Sequence, residues 1–567
     1  EYGEAKAFTK DTAADDYDRR TDFLQFVLEK GNEFEAAILK LLAGQVQVLR
    51  VALQHKDVRD PTAATRTWEA MQAGTEAIAQ AVLWNPETQT YGAADLLLRS
   101  DVLVRLFPES LSHGEAALVA PSIPGARWHY RVVDIKFATL HMLKDGHAAS
   151  QHREYMAQVW IYNEALGRIQ GMVPPCGYLL GRGWEQLKER GSSAMERLER
   201  VDRDYVFGKK DISLRDLALG ACEWVRRMRA EGEKWEVLPE PSVDELRPNM
   251  RYLEDAPWHR AKQQIATQID DLTLLPRVTP QVRRTALAAG LRRWTDLACT
   301  AERLGISGEK IVPLVNAVIK ANHSPAQGMV ILPERVTASH ELWRIPKPAE
   351  FYVDFETVND LDDDFSKLPQ KGGQPLIFML GCGYLADPSD TRTWTFKVFT
   401  ADRLIPDEER RVITEWLAHM RKVCSGRKTT LEASRLFHWS PAETSTLTNA
   451  YNSAASRHGF PLWDRLPWVD LLKNVVKEQP VTVRGAFGFG LKAVAKAMHR
   501  AGLIETNWGD GPTDGLGAMV GAWWCNAESS RQSESMRDMD LMKSIEAYNE
   551  VDCRVMAELL HFLRTKR

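Results

Sequence analysis

Residues 130–136, Tyr-Arg-Val-Val-Asp-Ile-Lys, constrain this chain more than any other stretch. Val132–Ile135 has the apolar, β-branched character of a buried strand. Yet a carboxylate and an ammonium stand two residues apart at its end. Residues i and i+2 of a strand leave the same face, so Asp134 and Lys136 project together where neither is cheap to bury. A carboxylate beside an ammonium can hold a metal and steady negative charge on a phosphate. The plain alternative is a surface ion pair on an edge strand, and the neighbouring motifs argue against it.

Upstream, Thr88–Arg99 reads Thr-Gln-Thr-Tyr-Gly-Ala-Ala-Asp-Leu-Leu-Leu-Arg. A turn glycine, Gly92, leads into an apolar run carrying one acid, Asp95. Sequential strands usually lie side by side, which predicts that Asp95 and Asp134 reach one divalent ion. Phe23 to Leu42 reads as a helix carrying Glu35. Ser150 to Leu166 reads as an amphipathic helix with Gln158 and Tyr162 on one face at i and i+4. The order is an acid on a helix, Asp, Asp-X-Lys, then Gln-X-X-X-Tyr. It resembles the PD-(D/E)XK nucleases of the RecB type, whose fold is a restriction-endonuclease-like mixed sheet. That resemblance implies that Glu35, Asp95, Asp134 and the Ile135 carbonyl gather one or two Mg2+ or Mn2+ ions. Lys136 would steady the scissile phosphate or the attacking water, and Gln158 and Tyr162 would orient the metal shell or the strand. The family often has His where Glu35 stands.

A Pro-flanked linker, Ile345-Pro-Lys-Pro-Ala, precedes a second acidic strand, Phe351-Tyr-Val-Asp-Phe-Glu-Thr. Asp354 and Glu356 share one face of it, and like charges on an apolar strand are costly unless a cation joins them. Strands are expected at Leu376–Tyr384 and Thr393–Phe399, and a helix at Asp407–Val423. A strand from Arg435 breaks at Ser440-Pro441 and enters a helix bearing Glu443. The loop Gly485-Ala-Phe-Gly-Phe-Gly-Leu-Lys492 lacks the Gly-Lys-Ser/Thr ending of a nucleotide-binding loop. A late helix, Ser544 to Leu563, places Tyr548 and Asp552 on one face. This order resembles the DEDD exonucleases, of ribonuclease H-like fold, in their Tyr subgroup. With the Leu491-Lys492 helix entry and the Trp508–Trp524 segment, it is similar to the YprB-like domain found behind a RecB-like nuclease. The resemblance implies two ions on Asp354, Glu356, Glu443 and Asp552, with Tyr548 positioning the water. Glu443 stands where the family usually has Asp.

The expected organisation is α/β and multidomain: a nuclease domain over 1–240, a helical spacer over 241–345, and a ribonuclease H-like domain over 346–567, each catalytic part with its own core. The spacer's run Asp271-Leu-Thr-Leu-Leu-Pro-Arg-Val-Thr-Pro resembles a helix-hairpin-helix element in which Val278-Thr279-Pro280 replaces the hairpin glycine. Helices are expected at Trp184–Val201 and Leu214–Glu231, with Arg226, Arg227 and Arg229 on a solvated face. A mobile surface loop is expected at Glu528–Arg537.

The formal net charge of -4 gives no global basic field to attract nucleic acid. Seven cysteines without a C-X-X-C pair argue against a disulfide framework, structural zinc or an iron–sulfur cluster. No apolar run approaches the ~20 residues of a membrane span. The opening residues lack the basic and apolar regions of a signal peptide, so the expected location is cytoplasmic. The expected partner is nucleic acid, DNA before RNA, with a helicase or another repair or defence protein beside it. The competing reading is a nucleic-acid-binding scaffold, or a helicase-associated subunit, with one or both sites inactive.

Overall fold

The computed structural model describes residues 2–208, 212–325, 328–439, 444–508 and 515–567, with the backbone alone at 444–446. The chain is mixed α/β. It divides into two compact units: Leu24–Glu233 with Asp360–Gly373, and Glu1–Phe23 with Lys234–Asn359 and Gln374–Arg567. No described helix is long and apolar enough to cross a membrane.

The first unit is built on a seven-stranded sheet. Its strands are β1 (Val48–Arg50), β2 (Ala77–Asn85), β3 (Thr90–Arg99), β4 (Tyr130–Met142), β5 (Cys176–Gln186), β6 (Glu189–Gly191) and β7 (Glu199–Asp202). The order is β1-β2-β3-β4-β5-β6, with β7 also on β5. β1 runs parallel to β2 and β4 to β5, while the other pairs are antiparallel. β4 is buried from Tyr130 to Ile135, as a central strand covered on both faces must be. Val132 and Leu179 pack with Met156, Val159 and Trp160 of the helix Arg153–Gln170. Val133, Ile135 and Leu180 pack with Phe34, Ile38 and Leu42 of the helix Phe23–Ala43. A two-stranded ribbon, β8 (Val206–Phe207) with β9 (Ile212–Ser213), completes the unit's strands.

The helix expected over Trp184–Val201 is not formed. β5 runs on to Gln186, and β6 and β7 both pair antiparallel with it. The charged run there favours a helix, but the open edge of β5 offers unpaired backbone groups that override local propensity.

Residues 360–373 belong to this unit although they follow the second acidic strand in sequence. Arg182, 3% exposed, donates from Nε to Asp363 Oδ2 at 2.7 Å and from Nη2 to Oδ1 at 2.9 Å. Phe365 lies 6.1 Å, ring to ring, from both Phe34 and Phe137. Ala194 N donates to the Pro369 carbonyl at 2.9 Å. The boundary at 240 therefore does not close this unit, which completes its packing with a segment from beyond 345.

The second unit carries a five-stranded sheet ordered 394–400, 376–385, 350–358, 435–438 and 468–470. A short pair, β10 (Ile331–Leu332) with β16 (Thr482–Val483), stands apart from it. The sheet strands are β11 (Glu350–Val358), β12 (Leu376–Leu385), β13 (Trp394–Thr400), β14 (Arg435–His438) and β15 (Trp468–Asp470). β11, β12 and β13 form an antiparallel meander, and β14 and β15 continue from β11 in parallel.

The stretch 241–345 is not an independent spacer. Val278, Ala286, Val315 and Ile319 share one core with Val483, Met498, Met556 and Leu560. The helices Pro280–Ala288 and Ile311–His323 bury their apolar faces there because neither can build a core alone. In the hairpin-like turn, Thr279 caps the helix by accepting from Val282 N at 3.3 Å. Arg283 is buried against Asp271, with Nη1 3.0 Å from Oδ2. That arginine is committed to the fold rather than presented to a ligand.

The loop expected at Glu528–Arg537 is partly helical: the helix Gly515–Gln532 runs into it and a single turn follows at Met536–Asp538. Ser529 is fully buried and accepts from Arg403 Nη1 at 3.0 Å. A polar composition there hides one buried face.

Candidate metal centres

β3 and β4 bring the first set of acids together. Leu96 pairs with Val133, so one step along the antiparallel ladder Asp95 faces Asp134. Asp95 Oδ2 accepts from Ile135 N at 2.8 Å, so Ile135 enters the hydrogen bonding by its N–H. Asp134 is fully buried, and Lys136 Nζ stands 2.6 Å from its Oδ2. Neither Asp134 oxygen makes an aligned hydrogen bond. Lys136 Nζ donates to Gln158 Oε1 at 3.0 Å, and Gln158 Nε2 donates to the Tyr162 hydroxyl at 3.2 Å. Gly92 admits the Tyr162 ring, since a Cβ there would lie 2.7 Å from Tyr162 Cε1.

Glu35 reaches the set from the helix Phe23–Ala43 through a side chain that the motif order does not point to. Gln80 Nε2 donates to Glu35 Oε1 at 2.7 Å and to Asp95 Oδ1 at 3.3 Å. Gln80 is the one polar residue in Ala77-Ile-Ala-Gln-Ala-Val-Leu, and that isolation is the signal by which it could be found.

The electrostatics of this set are those of crowded, buried acids. Burial raises the Asp134 carboxyl well above its ordinary range, and the nearby Asp95 charge adds to it. Burial, then Asp95, raises Glu35 as well. Burial alone would lower the Lys136 ammonium, but the Asp134 and Asp95 charges outweigh it and raise its pKa. Asp134, fully buried with the Lys136 ammonium at one oxygen, stands in a set of acids whose oxygens suit a hard divalent cation.

The second set is tighter. Asp354 and Glu356 of β11 and Asp552 of the helix Asp540–Lys566 place ligand atoms within 4.8 Å of one another. Among the described residues, no other three acids, histidines or cysteines meet that spacing. Glu356 and Asp552 are buried and Asp354 is half-buried. Burial raises Asp354, with Asp552 and Glu356 adding to it. Burial pushes Asp552 up to about 6, against the opposing charge of Lys492.

Neutral donors hold these acids in place. Asn549 Nδ2 donates to Asp354 Oδ2 at 2.9 Å and stands 3.4 Å from Glu356 Oε1. Trp508 Nε1 donates to Asp552 Oδ1 at 3.1 Å. Gly381, paired across from Asp354, leaves room for this: a Cβ there would lie 1.8 Å from Asn549 Oδ1. Lys492, at the start of the helix Leu491–Arg500, carries its Nζ 4.5 Å from the centre of the Tyr548 ring. Tyr548, Asn549 and Asp552 thus come from one helix face and its flank. Glu443 lies outside the described residues, as does part of the Trp508–Trp524 segment at 509–514. No family model, curated protein or solved structure matches the chain.

Proposed function

We propose that the chain is a metal-dependent nuclease with two centres. One is a RecB-like PD-(D/E)XK centre of restriction-endonuclease-like fold in the seven-stranded unit. The other is a YprB-like DEDD exonuclease centre of ribonuclease H-like fold in the five-stranded unit. The observation that carries this reading is the Asp354, Glu356 and Asp552 triad, three acid ligand atoms within 4.8 Å on a core strand and a core helix. Such crowding out of water is costly without a cation. The Asp134–Lys136 pair beside Asp95 supports the same chemistry in the other unit.

Bound Mg2+ or Mn2+ would supply positive charge to the phosphate oxygens and a more acidic bound water. The chain's own part follows from its side chains. Asp95, Asp134 and Glu35 in one unit, and Asp354, Glu356 and Asp552 in the other, offer the oxygen ligands; Glu443 would join the second set. Lys136, held by Gln158, keeps an ammonium where a phosphate would gather charge. Tyr548 offers a hydroxyl on the same face as Asp552. The substrate is nucleic acid, DNA before RNA, and a helicase or another repair or defence protein is the proposed associate.

The test uses end-labelled single- and double-stranded DNA and RNA with Mg2+, Mn2+ or EDTA. Metal-dependent shortening that disappears when Asp134→Asn and Asp552→Asn are combined is the expected result. Binding without shortening, equal in EDTA, would refute the nuclease reading and favour the scaffold.

A further inference from the structure

β2 contains a backbone anomaly next to the first centre. Gln80 has φ +49 in the middle of that strand, a left-handed conformation that residues other than glycine adopt at a cost. The ladder between β2 and β3 is interrupted there. Ala79 pairs with Leu96 and Ala81 with Ala94, which leaves Gln80 opposite Asp95 without a ladder pair. Its carbonyl is still used, accepting from Ala52 N at 3.1 Å. Strain of this kind persists where the surroundings over-determine it, and it clusters at functional sites.

The Gln80 side chain indicates what the strain serves. Its one amide nitrogen meets Glu35 Oε1 at 2.7 Å and Asp95 Oδ1 at 3.3 Å. A primary amide offers two N–H donors and no charge. It can therefore span two carboxylates that repel each other without neutralising either. Glu35 comes from a helix and Asp95 from a strand, so this amide also ties the helix to the sheet at the site.

We propose that Gln80 is a positioning residue of the first centre. Its amide holds Glu35 and Asp95 ready for one divalent cation, and the left-handed backbone at 80 aims that amide at both. The proposal rests on reading Glu35, Asp95 and Asp134 as a metal centre. A regular strand would carry the side chain of residue 80 on the pleat, with its N–H and C=O committed to Asp95's strand. The twist at 80 gives up that pairing and takes the carboxylate contacts in exchange.

The test uses the full chain with Asp354→Asn and Asp552→Asn, so that the other centre is silent. Gln80→Gly suits φ +49 without strain and removes the amide. It should melt at the same or a higher temperature than its parent, while its Mn2+ affinity and single-turnover cleavage fall by roughly 10–100-fold, the usual effect of losing a residue that orients a ligand. Gln80→Asn tolerates the left-handed backbone but is a methylene too short to span both acids, and should show the same loss. An equal Mn2+ affinity in parent and both variants would overturn the proposal. So would a lower melting temperature with unchanged affinity, which is the mark of a purely structural link. A parent that binds no Mn2+ at all overturns the first-centre reading, and the proposal falls with it.

Discussion

The two centres hold carboxylates out of water by different means. In the seven-stranded unit an ammonium stands inside the set, with Lys136 Nζ 2.6 Å from Asp134 Oδ2. In the five-stranded unit three acids crowd within 4.8 Å, and neutral donors from Asn549 and Trp508 keep them apart. Lys492 lies against the Tyr548 ring, and its charge opposes the rise of the Asp552 carboxyl. The first set thus has an ammonium on a carboxylate oxygen, and the second has amide and indole donors on its acids. An ammonium so close to Asp134 competes with a metal for the same oxygens, so the first centre should take Mn2+ less tightly than the second. Calorimetry on chains with one centre silenced at a time would rank them.

The units also differ in how they close. The seven-stranded unit is pinned by Arg182 on Asp363, which are 3% and 4% exposed. Arg182→Ala would strand a buried carboxylate and should cost about 3–5 kcal/mol. In denaturant the loss should appear in the unfolding of that unit. An unchanged unfolding curve would break the idea that residues 360–373 are part of its packing.

The next largest effect concerns the two lysines. Lys136→Ala beside Asp354→Asn should cut turnover by ~10²–10³, the usual worth of a well-placed electrostatic group. Lys492→Ala beside Asp134→Asn should cost only about tenfold, because the Asn549 and Trp508 donors to the acids remain in place. Equal losses in single-turnover assays would erase the contrast drawn between the centres.

Acidity sharpens the contrast further. Burial raises Asp552 to about 6 in the folded chain, above the ordinary value near 4 of an unfolded Asp. A raised carboxyl binds protons better when folded, so it destabilises the fold where it must ionise. In the metal-free protein that contribution to stability is whole below about pH 4, and on the order of 2–3 kcal/mol of it is lost as pH rises from there through about 6. Mg2+ or Asp552→Asn should flatten that slope. Melting curves across this range that show no slope in EDTA would contradict the burial argument.

The smallest expected effect is at Gly381. A Cβ there would lie 1.8 Å from Asn549 Oδ1, the end of a side chain, so Asn549 must swing away from Asp354. Gly381→Ala should weaken Mn2+ binding at the second centre severalfold and leave the first unchanged. An equal loss at both centres would show that the substitution acts through general stability.

Much of each centre is legible in the chain because strand alternation is a local rule. Asp134 with Lys136, and Asp354 with Glu356, declare a shared face by their spacing, and the apolar residues around them declare burial. The helix-borne Gln158 and Tyr162, and Tyr548 and Asp552, follow from the 3.6-residue repeat in the same way. Asn549 sits inside a motif that can be read, but its contact with Asp354 depends on the gap that Gly381 leaves across the sheet.

The sequence by itself determined which residue types stand at which positions of strands and helices, since those periodicities act over a few residues. Only the tertiary structure decided where residues 360–373 pack, that 241–345 shares a core with the last helix, and that β6 and β7 replace a helix. It also decided that Gln80 abandons its ladder partner to hold two acids. Each of these is a choice between a local preference and a partner far along the chain. The partner prevails where it satisfies a buried charge, an exposed apolar face or an open sheet edge that the local segment cannot satisfy alone.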